Sequence, residues 1–281
     1  MGDIMKKSKK YLMALAICSL SIVAIGCSSN EKKNIANDTS ETTDKKENKS
    51  SKSSNEEIVK KITEATKSIK SLKIKVENKD FVEKSGEKQE KFINLDIVKT
   101  SNPTVIKITG TMIGLGKSFE VSSYITEDAI YDLNIKDKKW YNVKNEETKR
   151  EINSQKDADR LNVIIEIINE LGKDLKIEEK DSEYEITFKG SDDVREILKK
   201  ALKKGQLRFA YLLDELKLDK FELELKVDKN TFMPKEQRML IVLNNSTAGK
   251  DGSFGVELKS KISDINKVEP IKIPDEVKNA E

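Results

Sequence analysis

Long runs of strict apolar–polar alternation constrain this chain more than any other feature. Leu72, Ile74 and Val76 alternate with Lys and Glu, and Ile93, Leu95 and Ile97 interleave with Phe92, Asn94 and Asp96. Similar runs follow at Val105 to Thr109, Phe119 to Tyr124, Ala129 to Ile135 and Trp140 to Val143. The pattern returns at Tyr184, Ile186 and Phe188, then at Phe221, Leu223, Leu225 and Val227, and finally at Arg238 to Leu243 and Phe254 to Ile262. Successive side chains of a strand point to opposite faces, so a period of two gives each strand one apolar and one polar face. Short stretches rich in Gly, Asp, Asn and Lys separate the runs. This reads as an antiparallel sheet with one face packed and one face wet.

Three segments break the alternation and read as helices. Ser54 and Glu57 have capping-box spacing, and Ile58, Ile62, Ala65 and Ile69 recur at helical spacing toward an end near Ser71. From Asp157 to Leu175, Leu161, Ile164, Ile165, Ile168, Leu171 and Leu175 fit one face, and Val163 and Ile167 widen it. Ser191 or Asp192 precedes a third apolar set, Val194, Ile197, Leu198, Ala201 and Leu202, with Gly205 as the stop. Leu207 to Leu216 reads as one or two further helical turns. A helix apolar on most sides is buried between layers or offers a face to a partner. Core packing accounts for the middle helix, and so does the lining of an apolar pocket. The lining candidates are Ile164, Ile165, Ile168 and Leu171, with Leu198 and Leu202 from the next helix. Trp140 and Tyr141 alternate across a strand, and Trp140 is a further pocket candidate beside its core reading. Gly110 to Lys117 lacks the spacing of a phosphate loop and opens no helix, so it reads as a strand connection or a lip of a hollow.

The N-terminus limits location and chemistry. Lys6, Lys7, Lys9 and Lys10 precede an apolar run, Tyr11 to Ile25, that closes on Ala24-Ile25-Gly26-Cys27. This is the layout of a secretory signal with a small-residue cleavage site. It resembles the signal of bacterial lipoproteins, in which the cysteine is acylated. Residues 1–26 are therefore expected to be signal, 27–54 a lipidated Cys27 with a polar tether, and 55–281 a single domain. The expected location is the extracytoplasmic face of a cell membrane, held by diacylglyceryl-Cys27; high Lys, Asn and Ile use suggests a Gram-positive source. The net charge of +3 is matched by the four Lys and one Asp of residues 1–26. The remainder is neutral, which argues against nucleic acid as a partner. Of the two cysteines, Cys18 lies in the apolar run and Cys27 is assigned to lipid, so no thiol is left for a disulfide, a metal or a nucleophile. The chain has no histidine, which removes imidazole-based triads and zinc sites. The expectation is a non-enzymatic protein with no cofactor and no metal.

Several elements carry a family resemblance: the leading helix ending in Ser68-Ile69-Lys70-Ser71-Leu72; the hairpin Tyr124-Ile125, Ala129-Ile130-Tyr131 and Trp140-Tyr141; Val227-Asp228-Lys229-Asn230-Thr231-Phe232-Met233-Pro234; and the closing Ile271-Lys272-Ile273-Pro274-Asp275-Glu276-Val277. In this order they resemble the LolA-like and LppX-type lipoprotein superfamily, in its uncharacterised Gram-positive branch, over roughly residues 55–280. The resemblance implies an α+β fold: a strongly curved antiparallel β-sheet, or half-barrel, with helices packed on its concave face. It also implies binding or carriage of a hydrophobic or lipid-like ligand. The alternative is an envelope interaction or assembly module that binds a protein partner and has a filled core.

Overall fold

The computed structural model describes residues 49–84, 86–114, 116–143, 161–205, 208–244 and 252–280. The expected signal, Cys27 and most of the expected tether lie outside the described residues.

Among the described residues, eleven strands form one antiparallel sheet. They are β1 (Ser71–Lys84), β2 (Glu87–Ser101), β3 (Thr104–Gly114), β4 (Lys117–Ile125), β5 (Ile130–Leu133), β6 (Trp140–Val143), β7 (Lys176–Glu179), β8 (Glu183–Gly190), β9 (Lys217–Asp228), β10 (Pro234–Asn244) and β11 (Gly252–Ser263). The order is β6-β5-β4-β3-β2-β1-β11-β10-β9-β8-β7. Two meanders thus spread outward from a seam where the first strand pairs with the last, Ile74 opposite Ile262. The sheet is neither closed nor strongly curled, so the half-barrel expectation is corrected to an open sheet. The register supplies a physical reason. Bulges bend sheets, and the register shifts fall in one pair, β9 with β10, while β1 to β4 and β11 run in unbroken register.

The alternation assigns the faces as expected. Leu72, Ile74 and Val76, Ile93, Leu95 and Ile97, and Phe221, Leu223, Leu225 and Val227 all enter one core with the helices. That side of the sheet is its inner face. The outer face carries charge. On it, Arg238 donates to Glu257 at 2.7 Å and to Glu222 and Glu224 at 2.9 Å each.

The helices are α1 (Lys49–Lys67), α2 (Leu161–Leu171), α3 (Arg195–Lys204), α4 (Leu212–Glu215) and α5 (Asp275–Lys278). Helix α1 begins five residues before the expected Ser54 and stops short of Ser71, because its chain must turn into β1. Asn266, at φ 58°, holds that turn. Its carboxamide oxygen accepts from Lys70 N at 2.6 Å, and its Nδ2 donates to Ser68 O at 3.2 Å. Helix α2 is shorter than the expected span: Gly172–Asp174 form a 3-10 turn and Leu175 is extended, while the expected start at Asp157 lies outside the described residues. Neither Ser191 nor Asp192 caps α3, which follows a 3-10 turn at Asp192–Val194. Gly205 does end it, and a Cβ there would meet Val163 Cγ2 at 2.4 Å, so glycine lets α2 and α3 approach. No helix among the described residues is long and apolar enough to cross a membrane.

Candidate functional site

The apolar layer under the helices is where the sequence places its candidates. Leu161, Val163, Ile164, Ile165, Ile167, Ile168 and Leu171 of α2 are all buried, which leaves only four polar positions on eleven residues. Three of those positions tie the helix to its neighbours. Asn169 Nδ2 donates to Thr63 Oγ1 on α1 at 3.1 Å, Glu166 pairs with Lys204 at 2.6 Å and Glu170 pairs with Lys200, both on α3. Helix α2 is therefore wedged between α1, α3 and the sheet. Ile164, Ile165, Ile168 and Leu171 meet Leu198 and Leu202 in one core cluster, and all six are at most 8% exposed.

Trp140 lies apart from these six. It packs with Val105, Tyr124 and Val277 in a second cluster, formed with Tyr131, Ile271 and Ile273. Its ring centroid is 5.5 Å from that of Tyr124. Val105 and Tyr124 each neighbour an inner-face residue, Ile106 and Ile125, so this cluster sits on the outer face. The C-terminal tail covers it and buries Val277 completely.

A cleft of about 290 Å³ lies between α1 and the end of α2, lined by Glu56, Val59, Lys60, Thr63, Glu64 and Lys67 with Asn169 and Gly172. None of the pocket candidates lines it. On the inner face Ser123 donates to Asp132 Oδ1 at 2.5 Å, and burial pushes the Asp132 carboxyl above its ordinary range while that bond opposes the shift. No group of three or more His, Cys, Asp or Glu that could hold a metal occurs among the described residues.

Sequence reasoning missed the far end of the inner face, beyond the helices. Val82 of β1 and Phe119 of β4 are 48% and 36% exposed. Val82 pairs with Phe254 and Phe119 pairs with Met112; Phe254 and Met112 themselves pack against the main core. The apolar layer thus continues into solvent on the same side of the sheet. Parity alone could have found these residues, since 82, 112, 119 and 254 share a face with 76, 108, 121 and 256.

A family model described as a family of unknown function, DUF6612, matches residues 54–281. No curated protein matches. The chain is similar in structure to the lipoprotein LppX of Mycobacterium tuberculosis (14% identity, 79% of this chain and 99% of that one, TM-score 0.41). It is also similar to LprF of Mycobacterium bovis (12%, 80% and 98%, TM-score 0.43) and to a LolA superfamily protein of Nitrosomonas europaea (12%, 79% and 96%, TM-score 0.25).

Proposed function

The chain belongs to the DUF6612 family, whose function is unknown, and from that premise we propose a membrane-anchored, extracytoplasmic, non-enzymatic lipoprotein that binds a hydrophobic or lipid-like ligand. The observation that carries the reading is the single apolar layer between sheet and helices, continuous with exposed Val82 and Phe119 at its open end. Affinity for an alkyl chain would come from burial, at about 25 cal/mol per Å² of apolar surface. Such binding needs few polar groups, in keeping with a chain that lacks histidine. The anchor belongs to the same proposal. Cys27 carries the acyl chains, and each buried methylene adds about 0.8 kcal/mol to membrane attachment.

Two measurements test this. Native mass spectrometry of the full chain after exposure to membrane extract should show an added hydrophobic mass; a clean apo mass counts against the ligand. Labelled palmitate should enter the wild-type chain and not Cys27→Ala, which should leave the membrane fraction. The second reading, an envelope module that binds a protein, is favoured by the packing of the six helix candidates, which resembles an ordinary filled core. An apo mass together with stable capture of one defined envelope protein would decide for it.

A further inference from the structure

The open end of the inner face carries charge as well as apolar surface. Gly114 of β3 lies between Lys91 of β2 and Lys117 of β4, each its direct cross-strand partner. Neighbouring strands are about 4.8 Å apart, so two lysine stems rise from positions about 10 Å apart with no side chain between them. The Lys91 stem passes beside the glycine, its Cγ 3.4 Å from where a Cβ would sit. One row nearer the core, on the same face, Ile93, Met112 and Phe119 are cross-strand neighbours. The surface therefore has a polar rim of two ammonium groups and an apolar floor that joins the protein core.

Lys91 and Lys117 form no ion pair among the described residues, whereas many surface lysines here do, including Lys79 and Lys88 with Glu90 at 2.9 and 3.0 Å. On β1 and β2, two carboxylates share the face. Asp80 lies opposite Lys91 and accepts from Asn78 Nδ2 at 2.6 Å, and Glu87 lies opposite Lys84 at the turn. Neither pairs across strands with Lys117, whose partner is Gly114.

Resting on the reading that the chain binds a hydrophobic ligand, we infer that the ligand class is an anionic amphiphile. Its phosphate or carboxylate head sits between Lys91 and Lys117, and its alkyl chain runs over Met112 and Phe119 toward the core. Charge complementarity selects the head, and the apolar floor holds the tail. A neutral alcohol of equal chain length matches only the floor.

The test uses the full chain carrying Cys27→Ser, free of its own acyl chains, titrated calorimetrically with dodecyl phosphate, dodecanoate, dodecanol and inorganic phosphate. Dodecyl phosphate is expected to bind about tenfold more tightly than dodecanol, the scale of two partly screened ion pairs. The preference should shrink as salt rises toward 0.3 M, since the screening length falls to roughly 6 Å. Lys91→Gln with Lys117→Gln should abolish it while leaving dodecanol binding and the melting temperature unchanged. Phe119→Ser should weaken both ligands. Comparing dodecyl phosphate with dodecanoate separates a phospholipid-type head from a fatty acid. Equal binding of dodecyl phosphate and dodecanol, or a preference that survives the double substitution, overturns the inference and leaves the hydrophobic-ligand reading intact. Inorganic phosphate binding as tightly as dodecyl phosphate overturns it too, in favour of a simple anion site. If neither alkyl compound binds and no hydrophobic mass is retained, the broader reading fails with it.

Discussion

At the scale of single residues, a few positions set geometry that their neighbours depend on. Asp228 closes the β9–β10 turn by accepting from Asn230 N at 3.1 Å and from Thr231 N and Thr231 Oγ1 at 3.0 Å each. That turn holds Phe232 at φ 56°, where its ring stacks on Tyr184 with centroids 5.9 Å apart and lies under the Lys61 ammonium of α1. One aspartate thereby links the turn, β8 and the first helix. Its Thr231 backbone bond, foremost, holds the Asp228 carboxyl below its ordinary value. A depressed folded value means the stabilisation is complete above the unfolded value, about 3.9, and is lost as pH falls through the folded one. Asp228→Ala should therefore cost about 1–2 kcal/mol at pH 7, and denaturant titrations should show the deficit shrinking in strong acid. Gly110 is a second such position. At φ 157°, a Cβ there would meet Asn94 O at 2.0 Å. Gly110→Ala should destabilise by about 3 kcal/mol, read as a fall in melting temperature.

At the scale of elements, helix α2 and the outer face of β9 to β11 show opposite solutions to the same problem. Helix α2 is held by packing, with Ile164, Ile167 and Ile168 fully buried. Ile168→Ala should cost about 2–4 kcal/mol, and the cost should be the same at pH 7 and pH 4. The outer face is held by charge. Lys220, and next Arg238, keep the Glu222 carboxyl below its ordinary value. By the same sign rule that contribution is present at neutral pH and lost in acid. Arg238→Leu removes the cation shared by Glu222, Glu224 and Glu257 and leaves Lys220 with Glu222 and Lys259 with Glu257, so it should cost about 1 kcal/mol at pH 7 and less at pH 4. A pH-independent deficit would show that the arginine acts through its stem packing instead.

At the scale of the whole molecule, the chain ends tie the architecture together. The seam between β1 and β11 joins two meanders, and Asn266 fastens the start of the tail to the α1–β1 junction. The tail then buries Val277 against Tyr124 and Val105 on the outer face, beside Trp140, the one tryptophan of the chain. Removing residues 269–281 should uncover that indole and shift its emission to the red, with a loss of about 2 kcal/mol for the exposed valine alone. An unshifted spectrum would mean that the tail does not shield the ring in solution.

The faces, the strands and the buried character of α2 were legible in the chain because each rests on a local period, two or about 3.6, that side-chain chemistry writes directly into residue order. Ile164, Ile165, Ile168, Leu171, Leu198 and Leu202 could be grouped for that reason. The absence of histidine excluded imidazole chemistry in the same way, before any coordinates. Other facts depend on which strand lies beside which, and residue order carries no mark of that. Trp140 faces the tail rather than the helices, β1 pairs with β11 across nearly two hundred residues, and Lys91 and Lys117 flank a glycine on a third strand. The open form of the sheet likewise depends on register, which runs unbroken from β11 through β1 to β4 and shifts only between β9 and β10 among the described pairs.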